Sequence, residues 1–120
     1  MCQQAKYALI TEEKSIREAI EQLNENGLQI LLVVDSEKIL LGTVTDGDIR
    51  RSLLNNITFD KPLTRIMNKN PKFVYEGEKE KARALMVKHK LKTIPVVDEW
   101  KRVVDLVLIA DIIEDKEELP

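Results

Sequence analysis

One heptapeptide, Gly42-Thr43-Val44-Thr45-Asp46-Gly47-Asp48, concentrates the residue types that handle a polar ligand. It is predicted to lie where a strand hands over to a helix N-terminus. Free backbone N–H groups and the positive end of the helix dipole collect there, a setting that suits an anion such as phosphate. Thr45 offers a hydroxyl donor. Asp48, when ionised, is acceptor-only, and its two oxygens can take both hydroxyls of a ribose. Gly42 and Gly47 allow close backbone approach. Arg50 and Arg51 follow and can reach a phosphate tail. Two other readings of the same residues stand beside this one. Asp46 can simply N-cap the helix, with Asp48 a first-turn acid and Arg51, three residues on, its ion-pair partner. Alternatively, Asp46 and Asp48 form a paired-carboxylate metal site, for which one turn provides few further ligands.

The rest of the chain offers little catalytic chemistry. His89 is the only histidine. Between Lys88 and Lys90 at a helix C-terminus it is expected to be solvated or satisfied by the dipole. No serine lies in a nucleophile-elbow context, no glycine-rich loop matches a phosphate or dinucleotide fingerprint, and no cluster of cysteines and histidines has metal-ligand spacing. A free-standing enzyme is therefore not expected. Net charge is −2, which gives no general reason for nucleic-acid binding. No apolar run approaches the ~18 residues of a membrane span, and no signal pattern opens the chain. Cys2, the single cysteine, excludes an intrachain disulfide and fits a reducing, cytoplasmic setting.

The elements that must position the heptapeptide occur twice. Val33-Val34-Asp35 returns as Val96-Val97-Asp98, 63 positions later, and the same shift carries Asp48-Ile49 onto Asp111-Ile112 and Ala19 onto Ala82. Two copies of about 60 residues are too few for a solenoid and point to two small units joined by a pseudo-two-fold axis. Copy one opens with the apolar run Tyr7-Ala8-Leu9-Ile10. Ser15 and Glu18 form a capping-box spacing, and Gly27 closes a helix over about 16–26. Ile30 to Val34 reads as a strand buried on both faces, Asp35 to Lys38 as a turn, and Ile39 to Thr45 as the return strand. A helix with Ile49, Leu53 and Leu54 follows. Copy two repeats the order: a short strand at 73–75, a helix over about 78–89, a strand over 93–97, a turn at 98–101, a strand over 102–108 and a closing helix at 110–114. Pro95 cannot donate a ladder hydrogen bond, so it is expected at a strand start or an edge. Residues 55–72 link the copies and hold a short helical stretch near Leu63 to Met67. The fold class is α/β (α+β), two β-α-β-β-α repeats, with copy one over 1–60, copy two over 61–114 and a linker-like tail over 115–120.

The duplicated order, with Ile30 to Asp35, Gly-Thr-Val-Thr-Asp-Gly-Asp-Ile at 42–49 and Ile94 to Asp98, resembles a tandem pair of CBS domains, the cystathionine-β-synthase-type regulatory modules. The resemblance covers about Ala8 to Glu114. It implies a regulatory module whose clefts commonly bind adenosine-containing ligands, here AMP, ADP, ATP or S-adenosylmethionine, with no cofactor. The Ser/Thr-x-x-Asp of that family contacts phosphate and ribose, and Thr45 and Asp48 match it, with Arg51 nearby. The base usually lies against the middle strand, which puts it near Leu28, Ile30 and Leu31.

Copy two departs from the pattern. Leu108 replaces the hydroxyl residue and Asp105 the first glycine, while Asp111 remains. One adenosine-type ligand per chain, held by copy one, is therefore expected. The alternative function is a structural dimerisation module without a small ligand. CBS pairs usually form flat dimers, and a homodimer is expected here through apolar faces such as Ile49, Leu53 and Leu54. Trp100 is expected in an exposed turn or against a partner chain. The Thr-Asp-Gly-Asp-Ile-Arg-Arg run looks like the CBS pairs of sugar-phosphate nucleotidyltransferases, where the pair precedes the catalytic domain, and of arabinose-5-phosphate isomerases, where it follows. Met1 opening almost directly onto the pair favours the nucleotidyltransferase order, with a catalytic domain C-terminal to this chain.

Overall fold

The computed structural model describes residues 3–111. The elements run α1 (Gln3–Ala8), β1 (Leu9–Thr11), α2 (Ile16–Asn26), β2 (Ile30–Val34), β3 (Leu40–Thr45), α3 (Asp46–Leu54), a 3-10 turn (Leu63–Arg65), β4 (Val74–Tyr75), α4 (Lys79–His89), β5 (Thr93–Val97) and β6 (Val103–Leu108). Ser15 starts α2 as its spacing predicts. Its Oγ accepts from the Glu18 N–H, and the Glu18 carboxylate accepts from the Ser15 N–H, both at 3.1 Å. Gly27 stops the helix in the left-handed region, at φ 68°. The expected closing helix at 110–114 falls mostly outside the described residues, as does the 115–120 tail; residues 109–111 are helical.

Each copy folds into a three-stranded sheet of the same design. In the first, β1 runs parallel to β2 and β2 antiparallel to β3; in the second, β4, β5 and β6 repeat this. The register slips between Val33 and Val34 in one sheet and between Val96 and Val97 in the other. These sites are 63 residues apart, so even the irregularity is duplicated. The copies meet around a pseudo-dyad. Ile39 and Arg102, again equivalent positions, form an antiparallel bridge. Lys92 Nζ donates to Gln29 Oε1 at 3.2 Å, a second pair of equivalent positions.

The core has three parts. A shared part lies between the copies and includes Ile30, Leu32, Leu40, Val97, Val103 and Leu106. Behind the first sheet, Ala19 and Leu23 of α2 cover Leu31, Val33 and Val44. Behind the second, Ala82 and Met86 of α4 cover Ile94 and Val96. No helix among the described residues is long and apolar enough to cross a membrane.

Two expectations need correction here. The run from Tyr7 to Ile10 is not one short strand. The chain is helical through Ala8, and Ala5 and Ala8 are fully buried in the shared core. Pro95 is at neither a strand start nor an edge. It stands mid-β5, the central strand, opposite Leu106. The short β4 explains this. The Val97 carbonyl accepts from Glu76 on the β4 side, and Pro95, two residues back, turns its nitrogen the same way. Because β4 begins level with Val96, the missing N–H faces no strand.

Candidate functional site

The exit of β3 into α3 carries the candidate chemistry. Thr45 has extended backbone, φ −126° and ψ 173°, and is itself the N-cap, so Asp46 is the first helical residue rather than the cap. Asp48 is then the third helical residue and folds back. Its Oδ2 accepts from the Thr45 N–H at 2.9 Å and from Thr45 Oγ1 at 3.1 Å, while Oδ1 accepts from Arg51 Nη2. Asp48 is 7% exposed, whereas the Arg51 side chain is 65% exposed. The capping role and the Arg51 ion pair thus both exist. They leave the carboxylate less free than the sequence implies, because each oxygen has two lone pairs and Oδ2 already has two donors. Only Oδ1 keeps an open acceptor site, and displacement of the exposed Arg51 head would open a second. The Thr45 hydroxyl likewise must turn from Asp48 to donate to a phosphate.

This corner opens onto a cleft of about 810 Å³ between the two copies. Thr45, Asp48, Leu28, Ile30 and Arg51, all singled out from sequence, line it. Leu31 does not. Successive strand residues face opposite ways, so Leu31 turns from the cleft and is fully buried with Val33 beneath α2. Lysines were not anticipated there. Lys72 from the linker and Lys90 and Lys92 from copy two join Arg50 and Arg51, giving five basic side chains against the carboxylates of Asp46 and Asp48. The first-turn N–H groups of α3 add partial positive charge, and Asp46 and Gly47 of that turn line the cleft. The Gln29–Lys92 pair on the pseudo-dyad was the available signal, since a 63-residue shift places Lys92 opposite Gln29. Among the described residues no group of three His, Cys, Asp or Glu side chains is arranged to hold a metal ion.

The two glycines differ in role. A Cβ on Gly42 would sit 2.5 Å from the Asn68 carbonyl oxygen. Gly42 therefore admits the linker, not a ligand: Thr43 and Asn68 exchange backbone hydrogen bonds of 3.1 and 2.8 Å over it. A Cβ on Gly47 would meet Arg51 Nη1 at 3.4 Å, an ordinary contact, so Gly47 keeps the first turn of α3 bare.

The equivalent place in copy two is closed. Leu108, at the position of Thr45, packs against the shared core, and α1 buries Ala5 and Ala8 there beside Leu106. A second groove of about 870 Å³ runs along α2, where Glu18, Glu21 and Glu25 outnumber Lys6 and Lys14 and do not favour an anion.

Comparison with known proteins agrees with the duplicated fold. The family model described as "CBS domain" matches residues 5–55 and 63–118. The arabinose 5-phosphate isomerase GutQ of Salmonella typhi is 31% identical over 86 residues, 71% of this chain and 27% of its own length. The L-aspartate semialdehyde sulfurtransferase of Methanocaldococcus jannaschii is 34% identical over 99 residues, 82% of this chain and 19% of its own. The chain thus spans under a third of the length of these relatives. They are an isomerase and a sulfurtransferase, and they lend no support to the nucleotidyltransferase parent expected from sequence. Among solved structures, the CBS domain pair of protein MJ0100, in complex with 5'-methylthioadenosine and S-adenosyl-L-methionine, is 32% identical at a TM-score of 0.76, covering 90% of this chain and 87% of that one. Repeat, fold and family model agree that the chain belongs to the CBS domain family, as a tandem pair of its domains.

Proposed function

We propose that this CBS pair is a ligand-sensing regulatory module that takes one adenosine nucleotide in the copy-one cleft. The carrying observation is the meeting, in one cleft, of the Thr45–Asp48 corner, the α3 N-terminus and five basic side chains. The ribose takes Asp48 Oδ1 in place of Arg51, and Arg51 then turns to the phosphates. The base rests on Leu28 and Ile30. The adenosine ligands of the protein MJ0100 pair support the nucleoside part of this reading. The charge of the cleft favours ADP or ATP over AMP, and AMP over S-adenosylmethionine, whose sulfonium adds a cation to a basic site. A cytoplasmic setting belongs to the same reading.

The parent activity that fits the relatives better is a sugar-phosphate isomerase, with the pair regulating a separate catalytic domain. The rival reading, a dimerisation module without a small ligand, draws on Leu53, Leu54 and Val87, which are 55%, 79% and 70% exposed; Ile49, named with Leu53 and Leu54 from sequence, packs instead against the core behind the first sheet.

Titration calorimetry with AMP, ADP, ATP and S-adenosylmethionine at low and high salt decides between them. The expected result is one site per chain, tightest for the polyphosphates and weakened by salt. Ligand at ~100 times its dissociation constant should stabilise the fold by about 2.7 kcal/mol. S-Adenosylmethionine binding more tightly than ATP would reverse the assignment. No binding by any of the four would leave the dimerisation module.

A further inference from the structure

The duplication has reversed the charge of one helix face. Glu18, Glu21 and Glu25 recur on α2 at spacings of three and four, so they form one stripe, and all three are exposed. A shift of 63 residues turns them into Lys81, Ala84 and Lys88, an equally exposed stripe of the same spacing on α4. The remaining charges keep the contrast. On α2 only Arg17 opposes the glutamates, and its guanidinium stands over the Phe59 ring, 5.9 Å from the centroid. On α4, Lys79 and Arg83 add to the lysines and only Glu80 opposes them. Lys14 pairs with Glu18 at 3.6 Å and Glu78 with Lys81 at 3.9 Å. Exposed pairs of this length contribute little. Glu21, Glu25 and Lys88 have no ion pair among the described residues. On the flank of α4, Arg83 Nε is buried without a hydrogen-bond partner.

We infer that a second copy of this chain docks head-to-tail, with its α4 stripe on the α2 stripe of the first chain and, by two-fold symmetry, its α2 stripe on the first chain's α4. This rests on the homodimer expected from the exposed apolar residues and adds which helices meet. The occupant is identified by the match itself: each stripe finds its own spacing, with the opposite sign, on the other helix. The two cannot satisfy each other within one chain. Helix α2 covers the first sheet and α4 the second, and no ion pair joins them among the described residues. Pairing like with like would set carboxylates against carboxylates at one contact and ammonium groups against ammonium groups at the other, which selects against it. Packing agrees with the charges. Ala84, between the two lysines, is small enough to let a helix approach, and Val87, 70% exposed, stands beside Lys88. Helix α3 shares the layer of α2 through Ile49 and adds the exposed Leu53 and Leu54 to it.

The test is sedimentation of the full 120-residue chain over a concentration series, which gives the dimer dissociation constant. Glu21→Gln with Glu25→Gln, both exposed and clear of the capping box, should raise that constant about tenfold, because the contact occurs twice in a two-fold pair. If α2 met α2, the same two changes would relieve repulsion and lower the constant. If α4 met another surface, or the chain's own acidic run from Glu114 to Glu118, they would leave it unchanged. Either result would overturn the inference and leave the dimer standing. Lys81→Glu with Lys88→Glu should weaken the dimer further still, since it sets like charges face to face. Adding Glu21→Lys and Glu25→Lys to that variant should recover about tenfold of the loss, and no recovery would overturn the inference. A single-chain mass for the unaltered protein at micromolar concentration would remove the dimer and the inference together.

Discussion

Leu40 and Val103 hold the same position in the two copies, and each donates its N–H across the pseudo-dyad. Leu40 donates to the Lys101 carbonyl at 2.9 Å and Val103 to the Lys38 carbonyl at 3.0 Å. The acceptors are equivalent too, and both take the left-handed conformation, Lys38 at φ 68° and Lys101 at φ 66°. The hairpin turns thus aim one carbonyl each at the opposite copy, and the two units close on each other by backbone bonds as well as by a shared core.

Left-handed backbone strains any residue with a Cβ, by roughly 1–2 kcal/mol, while glycine loses about 0.5–1 kcal/mol of chain entropy in return. Lys38→Gly is therefore expected to raise stability by about 0.5–1 kcal/mol. Lys101→Gly should gain less, because Lys101 Nζ stands 5.3 Å from the Phe73 ring centroid and that contact would be lost. Urea unfolding of the two variants checks the order.

Gly42→Ala should destabilise the fold by about 1–3 kcal/mol, the usual cost of overfilling a tight contact. Its Cβ would force Asn68 off Thr43. Hydrogen exchange should speed at the Thr43 and Asn68 amides before it does at β2. Unchanged exchange there would contradict the close approach over Gly42.

Gly47→Ala should act the other way on the free protein. The site has an ordinary helical φ and room for a methyl group, so the helix gains about 0.5–1 kcal/mol. The same methyl crowds the bare turn facing the cleft and should weaken nucleotide binding. Asp48→Ala should lose both, since it removes a cap worth about 0.5–2 kcal/mol as well as the ribose acceptor. Melting curves with and without ATP separate the three proteins.

Asp98 organises the second hairpin turn. Its Oδ1 accepts the N–H groups of Trp100 and Arg102, and its Oδ2 accepts Arg102 Nε, all at 2.9 Å. Desolvation pushes this carboxyl upward, but the Arg102 N–H, the Arg102 guanidinium and the Trp100 N–H outweigh it and hold it below the ordinary 3.8. A depressed carboxyl contributes stability that is present above its unfolded value and fades as pH falls through the lower folded value. Acid unfolding of Asp98→Asn should accordingly lose part of its slope below about pH 4. A superimposable pH profile would count against this role. Trp100 lies in that turn, 62% exposed as its sequence context predicts, with the Arg102 guanidinium 4.8 Å from its ring centroid.

A homodimer through the exposed apolar residues of α3 and α4 would appear in light scattering as about twice the 13.8 kDa chain mass. Leu54→Glu, at a position 79% exposed in the single chain, should return the mass to that of one chain and make its melting temperature independent of protein concentration. A single-chain mass for the unaltered protein at micromolar concentration would remove the dimer.

The duplication, the order of elements from α2 to β6, the capping box at Ser15 and the C-cap at Gly27 are local or periodic properties, so the sequence alone determined them, whereas helix α1 was not among them. That Thr45 and Asp48 stand at one corner was legible for the same reason, since three residues separate strand exit from helix turn, but spacing alone places the cap at Asp46 and does not foresee that Thr45 caps the helix and donates to Asp48. Tertiary structure decided which groups face one another across the copies. Strand alternation removed Leu31 from the cleft, and the pseudo-dyad brought in Lys72, Lys90 and Lys92 from distant parts of the chain. A two-residue β4 made Pro95 tolerable in a central strand. The linker claimed Gly42, and α1 closed the second cleft. Apart from the strand alternation at Leu31, which is local, each of these depends on contacts between residues far apart in the chain, which no spacing or propensity encodes.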